Sequence, residues 1–164
     1  LVNNKKKIRL EMADSDPRHD QLFSLTWTLA VFIQSINTES KFFTFNSVYG
    51  HHGILNNDNT KRPLYHLNKF LISLSNSDIY KFYPINEVYG LKILLNNNKY
   101  YLFVNSSKQK KEINISELNF NYQYKLNLKN YTDIFKNDFS FFNFKKDTKP
   151  YEFEPLEIKF IEDK

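Results

Sequence analysis

The side chains best placed for chemistry lie where Lys41-Phe42-Phe43-Thr44-Phe45 runs into Asn46-Ser47-Val48-Tyr49-Gly50-His51-His52-Gly53. The apolar half reads as a short buried strand, and the polar half as a loop pinned by two glycines. Ser47, Tyr49, His51 and His52 are the loop residues that could hydrogen-bond a sugar or a carboxylate. The adjacent histidines also raise the question of metal. Neighbouring residues seldom aim at one point, and no Glu sits at ligand spacing; Asp58 is the nearest acid. No metal and no cofactor is therefore expected. Two readings of the pair stand side by side: donors to a ligand at the mouth of a barrel, or an exposed pair that stabilises its own loop.

Hydrolysis of a glycosidic bond needs two carboxylates facing each other across it. The loop after Phe45 offers none before Asp58, and Glu39, ahead of the strand, belongs at the opposite end of a barrel strand. The catalytic residues are thus unknown from this chain. His66, inside a helix, and His19, in the first turn of another, read as structural.

The elements that would position the loop follow from periodicity. Asp16-Pro17 is a helix-start signal, and the helix is expected from about Arg18 to Ile36, with Leu22, Leu25, Leu29, Phe32 and Ile36 on one face. Phe23, Trp27, Ala30, Val31 and Ile33 widen the apolar surface, so this helix should be buried on more than one side. A second amphipathic helix is expected over Pro63 to Leu74, with Leu64, Leu67, Leu71 and Leu74 in line. From Asp78 the period changes to two. Val88 to Leu95 and Tyr100 to Val104 form a hairpin around Asn96-Asn97-Asn98, the first strand covered on both faces. Further strands are expected from Ile113, over Tyr122 to Leu128, and over Leu156 to Phe160, beyond a Phe-rich stretch from Phe135 to Phe144.

A strand, a chemistry-bearing loop and a helix, followed by antiparallel strands, give an α+β organisation. The expected architecture is the last strand–helix elements of a truncated (β/α)8 barrel (1–76) followed by an antiparallel β-sandwich (77–164).

Composition narrows the function classes. Of 164 residues, 41% are hydrophobic and 17% aromatic, enough for a packed core. The absence of cysteine removes disulfides, thiolate zinc sites and thiol nucleophiles. The net charge of +5 is dispersed; Lys5-Lys6-Lys7 and Lys108 to Lys111 are the dense basic runs, so solvated lysines are favoured over a nucleic-acid surface. No apolar run approaches the ~18 residues of a membrane span. Neither nucleic acid nor membrane is expected as a partner. The compartment stays open, with the cytoplasm slightly favoured.

Asp16-Pro17-Arg18-His19-Asp20-Gln21-Leu22-Phe23, Trp27-Thr28-Leu29, Phe43-Thr44-Phe45 leading to Gly50-His51-His52-Gly53, and Arg62-Pro63-Leu64-Tyr65-His66 together resemble the C-terminal part of D-apionate lactonase-like proteins. That group is similar in architecture to clan-A glycoside hydrolases, a TIM barrel followed by a small β-sandwich. The resemblance implies hydrolysis of a sugar-acid lactone or a related glycosidase activity. Its implied partners are the small sugar or lactone and the remainder of the barrel, with this segment inactive alone. Such proteins often carry a Glu in the loop ahead of the two glycines. Asn46-Ser47-Val48-Tyr49 has no carboxylate there, so no catalytic residue is carried over. The other class open to the sequence is a non-catalytic carbohydrate-binding or interaction module using exposed tyrosines.

Overall fold

The computed structural model describes residues 17–39, 44, 46–50, 52–114, 120–135 and 152–163. Most of the expected strand over Phe42 to Phe45, the Phe-rich stretch beyond Phe135 as far as Phe144, and His51 lie outside them.

The first helix, α1, spans Leu22–Ser35 and is preceded by a 3-10 turn over Pro17–Asp20. It begins four residues later than Arg18. Ser24 Oγ donates to the carbonyls of His19 and Gln21, at 2.6 and 2.8 Å, which keeps the preceding turn separate from the helix. Leu22, Leu25, Leu29 and Ile33 are buried, as are Thr26, Thr28 and Ala30; Trp27 stays 55% exposed. Asn37, at φ 65°, ends the element in the left-handed region that Asn tolerates better than most residues. The second helix, α2, spans Pro63–Ser73 with Pro63 at its first position, where the missing N–H costs nothing.

Two short strands, β1 (Ser47–Tyr49) and β2 (Gly53–Leu55), pair in parallel across a three-residue connection. A main sheet follows. Its strands are β3 (Asp78–Lys81), β4 (Val88–Leu95), β5 (Asn98–Asn105), β7 (Phe120–Leu126) and β9 (Ile158–Asp163), in the antiparallel order β3-β4-β5-β9-β7. A two-stranded ribbon joins β6 (Lys111–Glu112) to β8 (Glu152–Phe153). The β4–β5 hairpin closes at Asn96 and Asn97, both at positive φ (51° and 66°), as the tight turn matching strand twist requires. A second tight turn, at Asn86 and Glu87, also has two positive φ values and was not evident in the sequence.

Alternation along the strands explains why both sheet faces are covered. Leu91, Ile93, Tyr100, Leu102, Val104, Leu126, Ile158 and Phe160 face the helices and join Leu22, Leu25, Leu29, Ile33, Leu64, Leu67 and Phe70 in one apolar cluster. Phe70 meets Phe160 edge-on at 5.4 Å. Val88, Tyr101, Phe103 and Ile161 face the other way and pack with Ile113 and Phe153 beside the ribbon. The result is α+β, with helices on one face of an antiparallel sheet and a sandwich-like ribbon layer on the other.

Three strand ends differ from periodicity. Ile113 follows β6 instead of opening a strand, and its side chain fills the second core. Leu128 is exposed because Asn127 and Asn130 exchange side-chain hydrogen bonds with the backbone and turn the chain after Leu126. Leu156 sits in a turn at φ 53°, so β9 begins at Ile158.

Candidate functional site

The polar loop is shaped by its glycines. Gly50 has φ +95°, a conformation L side chains rarely adopt. At Gly53 a Cβ would lie 2.4 Å from the carbonyl carbon of Tyr49, so the chain passes over itself where only hydrogen fits. This close approach lets Ser47 pair with Gly53 and Tyr49 with Leu55 in parallel. Gly53 N also donates to Gly50 O at 3.0 Å.

The loop is anchored from 34 residues away. His19, on the 3-10 turn before α1, contacts the carbonyl of Gly53 through Nε2 at 3.0 Å. The carbonyl can only accept, so Nε2 carries the proton in this contact. His52 lies edge-on to His19 with ring centroids 6.0 Å apart.

These residues border an open cleft of about 630 Å³ lined by His19, Thr44, Asn46, Ser47 and His52. Of the site residues expected from sequence, Ser47 and His52 are on its wall. Ser47 Oγ donates to Tyr49 O at 3.0 Å, and Tyr49 is 55% exposed close by in sequence. His19 was read as structural, and its anchoring contact agrees with that; its place on the cleft wall was missed because the contact spans two distant segments. Asn46 was also missed. Its Oδ1 is buried and makes no hydrogen bond among the described residues. An acceptor shut away like this costs about 1–3 kcal/mol, a cost tolerated most readily at sites that meet a ligand or water.

No Asp or Glu lines this cleft among the described residues. Nor do three or more His, Cys, Asp or Glu side chains converge to hold a metal among them. No helix among them is long and apolar enough to cross a membrane. The arrangement presents hydroxyl, amide and imidazole groups, which suit hydrogen bonding to a hydroxyl-rich ligand better than bond cleavage.

Comparison with known proteins adds one finding. Residues 1–76 match the family model described as D-apionate lactonase, TIM barrel domain. No curated protein and no solved structure matches the chain. The N-terminal part of this chain, which holds both helices and the glycine loop, is therefore similar to the TIM barrel domain of D-apionate lactonase.

Proposed function

We propose that the chain is the C-terminal segment of a carbohydrate-active hydrolase of the D-apionate lactonase type. In this reading residues 1–76 contribute the last barrel loop and residues 77–164 a supporting β-layer. The observation that carries it is the match of residues 1–76 to that family's barrel domain. The chemistry of the glycine-loop cleft supports it. Opening a lactone requires a water activated by a base and donors for the oxyanion that forms. The cleft presents the polar groups of Asn46, Ser47 and His52 and, among the described residues, no acid on its wall, so its role is to bind and orient, with the base supplied from other barrel strands.

The test is titration of the isotope-labelled chain with D-apionate lactone, followed by NMR, alongside measurement of acid release. The expected result is a set of shifts centred on Ser47 and His52, with acid release no faster than in buffer. Catalysed acid release by this chain alone would refute the binding-segment reading.

A second reading, a non-catalytic carbohydrate-binding module, is favoured by one observation. Tyr83 is 91% exposed beside an apolar slot of about 220 Å³ bordered by Phe82, Ile85 and Phe103, a surface on which a sugar ring could stack. Shifts at Tyr83 with none at His52 would select it.

A further inference from the structure

The apolar slot of about 220 Å³ lies against β4, on the sheet face turned away from the helices. Phe82, Ile85, Val88, Phe103 and Ile113 wall it, and the exposed Tyr83 and Asn114 stand at its mouth. Its floor is built around Gly90. A Cβ there would lie 2.6 Å from the Phe103 ring and 3.1 Å from the Phe82 ring, so only hydrogen lets both rings lie against the strand. Phe82 stacks on Phe103 with centroids 6.0 Å apart and planes 17° apart. Tyr101 stacks behind both, at 6.1 Å from Phe82 and 6.3 Å from Phe103.

The two sides of the slot are tied together. The chain from Phe82 to Val88 forms one side, and Ile113 with Asn114 the other. The turn between β3 and β4 joins them: Asn86 Nδ2 donates to Glu112 O at 3.3 Å, and Glu87 pairs with Lys111 at 2.6 Å. Asn86 and Glu87 both hold positive φ, 50° and 64°. Backbone strain of this kind persists where the surroundings enforce it, and it concentrates at ligand clamps. Here it fixes the width of the slot, so the site is formed before a ligand arrives.

The walls select the ligand. A cavity of about 150 Å³ lined by Leu, Ile and Phe takes a benzene ring. About 220 Å³ therefore takes one ring with a small substituent. The stacked Phe82 and Phe103 favour a flat aromatic ring over a puckered one, because offset stacking needs a second π-face. At the mouth, the Asn114 amide offers a donor and an acceptor to one polar group.

We propose that the slot is a binding site for a small monocyclic aromatic compound of the phenol type, its ring against Phe82 and Phe103 and its hydroxyl on Asn114. The inference is independent of the hydrolase reading. It also goes beyond the sugar-stacking one, which uses the outer face of Tyr83 and not the interior of the slot.

The experiment is an NMR titration of the whole chain with p-cresol, with 4-methylcyclohexanol as the puckered counterpart, toluene as the one lacking a hydroxyl, and methyl glucoside as the sugar. The expected result is shifts centred on residues 82–90, Phe103 and Asn114, with p-cresol binding at least five-fold tighter than 4-methylcyclohexanol. Two variants at exposed positions test the walls. Ile85→Ala should weaken p-cresol and toluene alike, by at least three-fold. Asn114→Ala should weaken p-cresol by at least three-fold and leave toluene unchanged. The proposal is overturned if 4-methylcyclohexanol binds as tightly, if either variant leaves p-cresol binding unchanged, or if the shifts scatter over the molecule. A dimer in ultracentrifugation that p-cresol does not disperse would give the slot to a second copy of the chain and overturn it too. Methyl glucoside shifting Tyr83 while p-cresol shifts nothing would sink the phenol site and leave the sugar reading standing; p-cresol shifts at Phe103 without glucoside shifts at Tyr83 would do the reverse.

Discussion

Replacing Gly53 by Ala should dismantle the glycine loop, and the cause is steric. The added Cβ would lie 2.4, 2.7 and 2.8 Å from the carbonyl carbon, Cα and N of Tyr49. These are backbone atoms, so no rotamer change relieves the clash. Ordinary contact begins near 3.4 Å, so β1 and β2 must part by about 1 Å, enough to break their pairing. Overpacking typically costs about 1–3 kcal/mol, and a clash with backbone on three atoms belongs at the upper end, about 3 kcal/mol. For a chain of this size that is a fall in melting temperature of roughly 6–12 °C if the loop unfolds together with the core. If the loop opens locally, the melting point moves less and the loss appears at the site. Both are read in one sample, by thermal melting and by the imidazole resonances of His19 and His52. His19 should lose its 3.0 Å contact to Gly53 O and its edge-on relation to His52. Gly50→Ala is the contrasting variant. Its Cβ meets nothing within 4 Å, and only its φ of +95° is strained, at a cost of about 1–2 kcal/mol. Gly53→Ala melting within about 1 °C of the parent with both imidazoles unmoved would refute the reasoning, because an unmoved backbone cannot accommodate that atom.

Further outcomes follow from other parts of the fold. Glu157 and Lys159 are each about 1% exposed; Glu157 accepts from Asn127 Nδ2 and the Glu154 amide, while Lys159 Nζ donates to Glu152 O at 2.6 Å and sits 4.7 Å from the Phe153 ring centroid. Glu157→Ala should cost about 3 kcal/mol in urea unfolding, because the Asn127 Nδ2 and the Glu154 amide lose the acceptor they share; a loss under 0.5 kcal/mol would contradict this. Glu87 holds φ 64° in the turn before β4, with an ion pair at 2.6 Å to the largely buried Lys111 in which Glu87 itself is 63% exposed. Glu87→Gly should raise stability by about 0.5 kcal/mol, since relief of the left-handed backbone outweighs a pair whose acid is solvated, and a destabilised variant would count against it. His66 has a folded pKa below its ordinary value, with burial the largest cause. The unfolded chain therefore binds the proton first as pH falls. The stability contributed by the neutral imidazole is whole above about 6.5 and is lost on descending from there to the folded pKa. An NMR titration placing His66 at or above 6.5 would exclude this.

The elements themselves were legible in the residue pattern. Leucines at spacings of three and four marked both helices, Pro63 marked a helix start, and alternation marked the β4–β5 hairpin and its asparagine turn, because these signals are local. The expectation that β4 is covered on both faces also held, since Leu91 and Ile93 face one cluster and Val88 the other. The late start of α1 was not visible, because Ser24 and His19 make contacts that no period encodes. The turn at Asn86 and Glu87 escaped for a related reason: Glu is a poor left-handed residue and is held there by pairing between Ile85 and Val88.

The candidate site divides along the same line. Residue types and short-range order already identified Ser47 and His52 as polar groups on a glycine loop that itself carries no carboxylate. Only the tertiary structure brought His19 to that loop and buried the Asn46 Oδ1 within it, and set Asp20 beside Arg62. Local steric and hydrophobic preferences are written into consecutive residues. A cleft is made by segments tens of positions apart, and which of their faces meet is decided by how the helices and the sheet share one core.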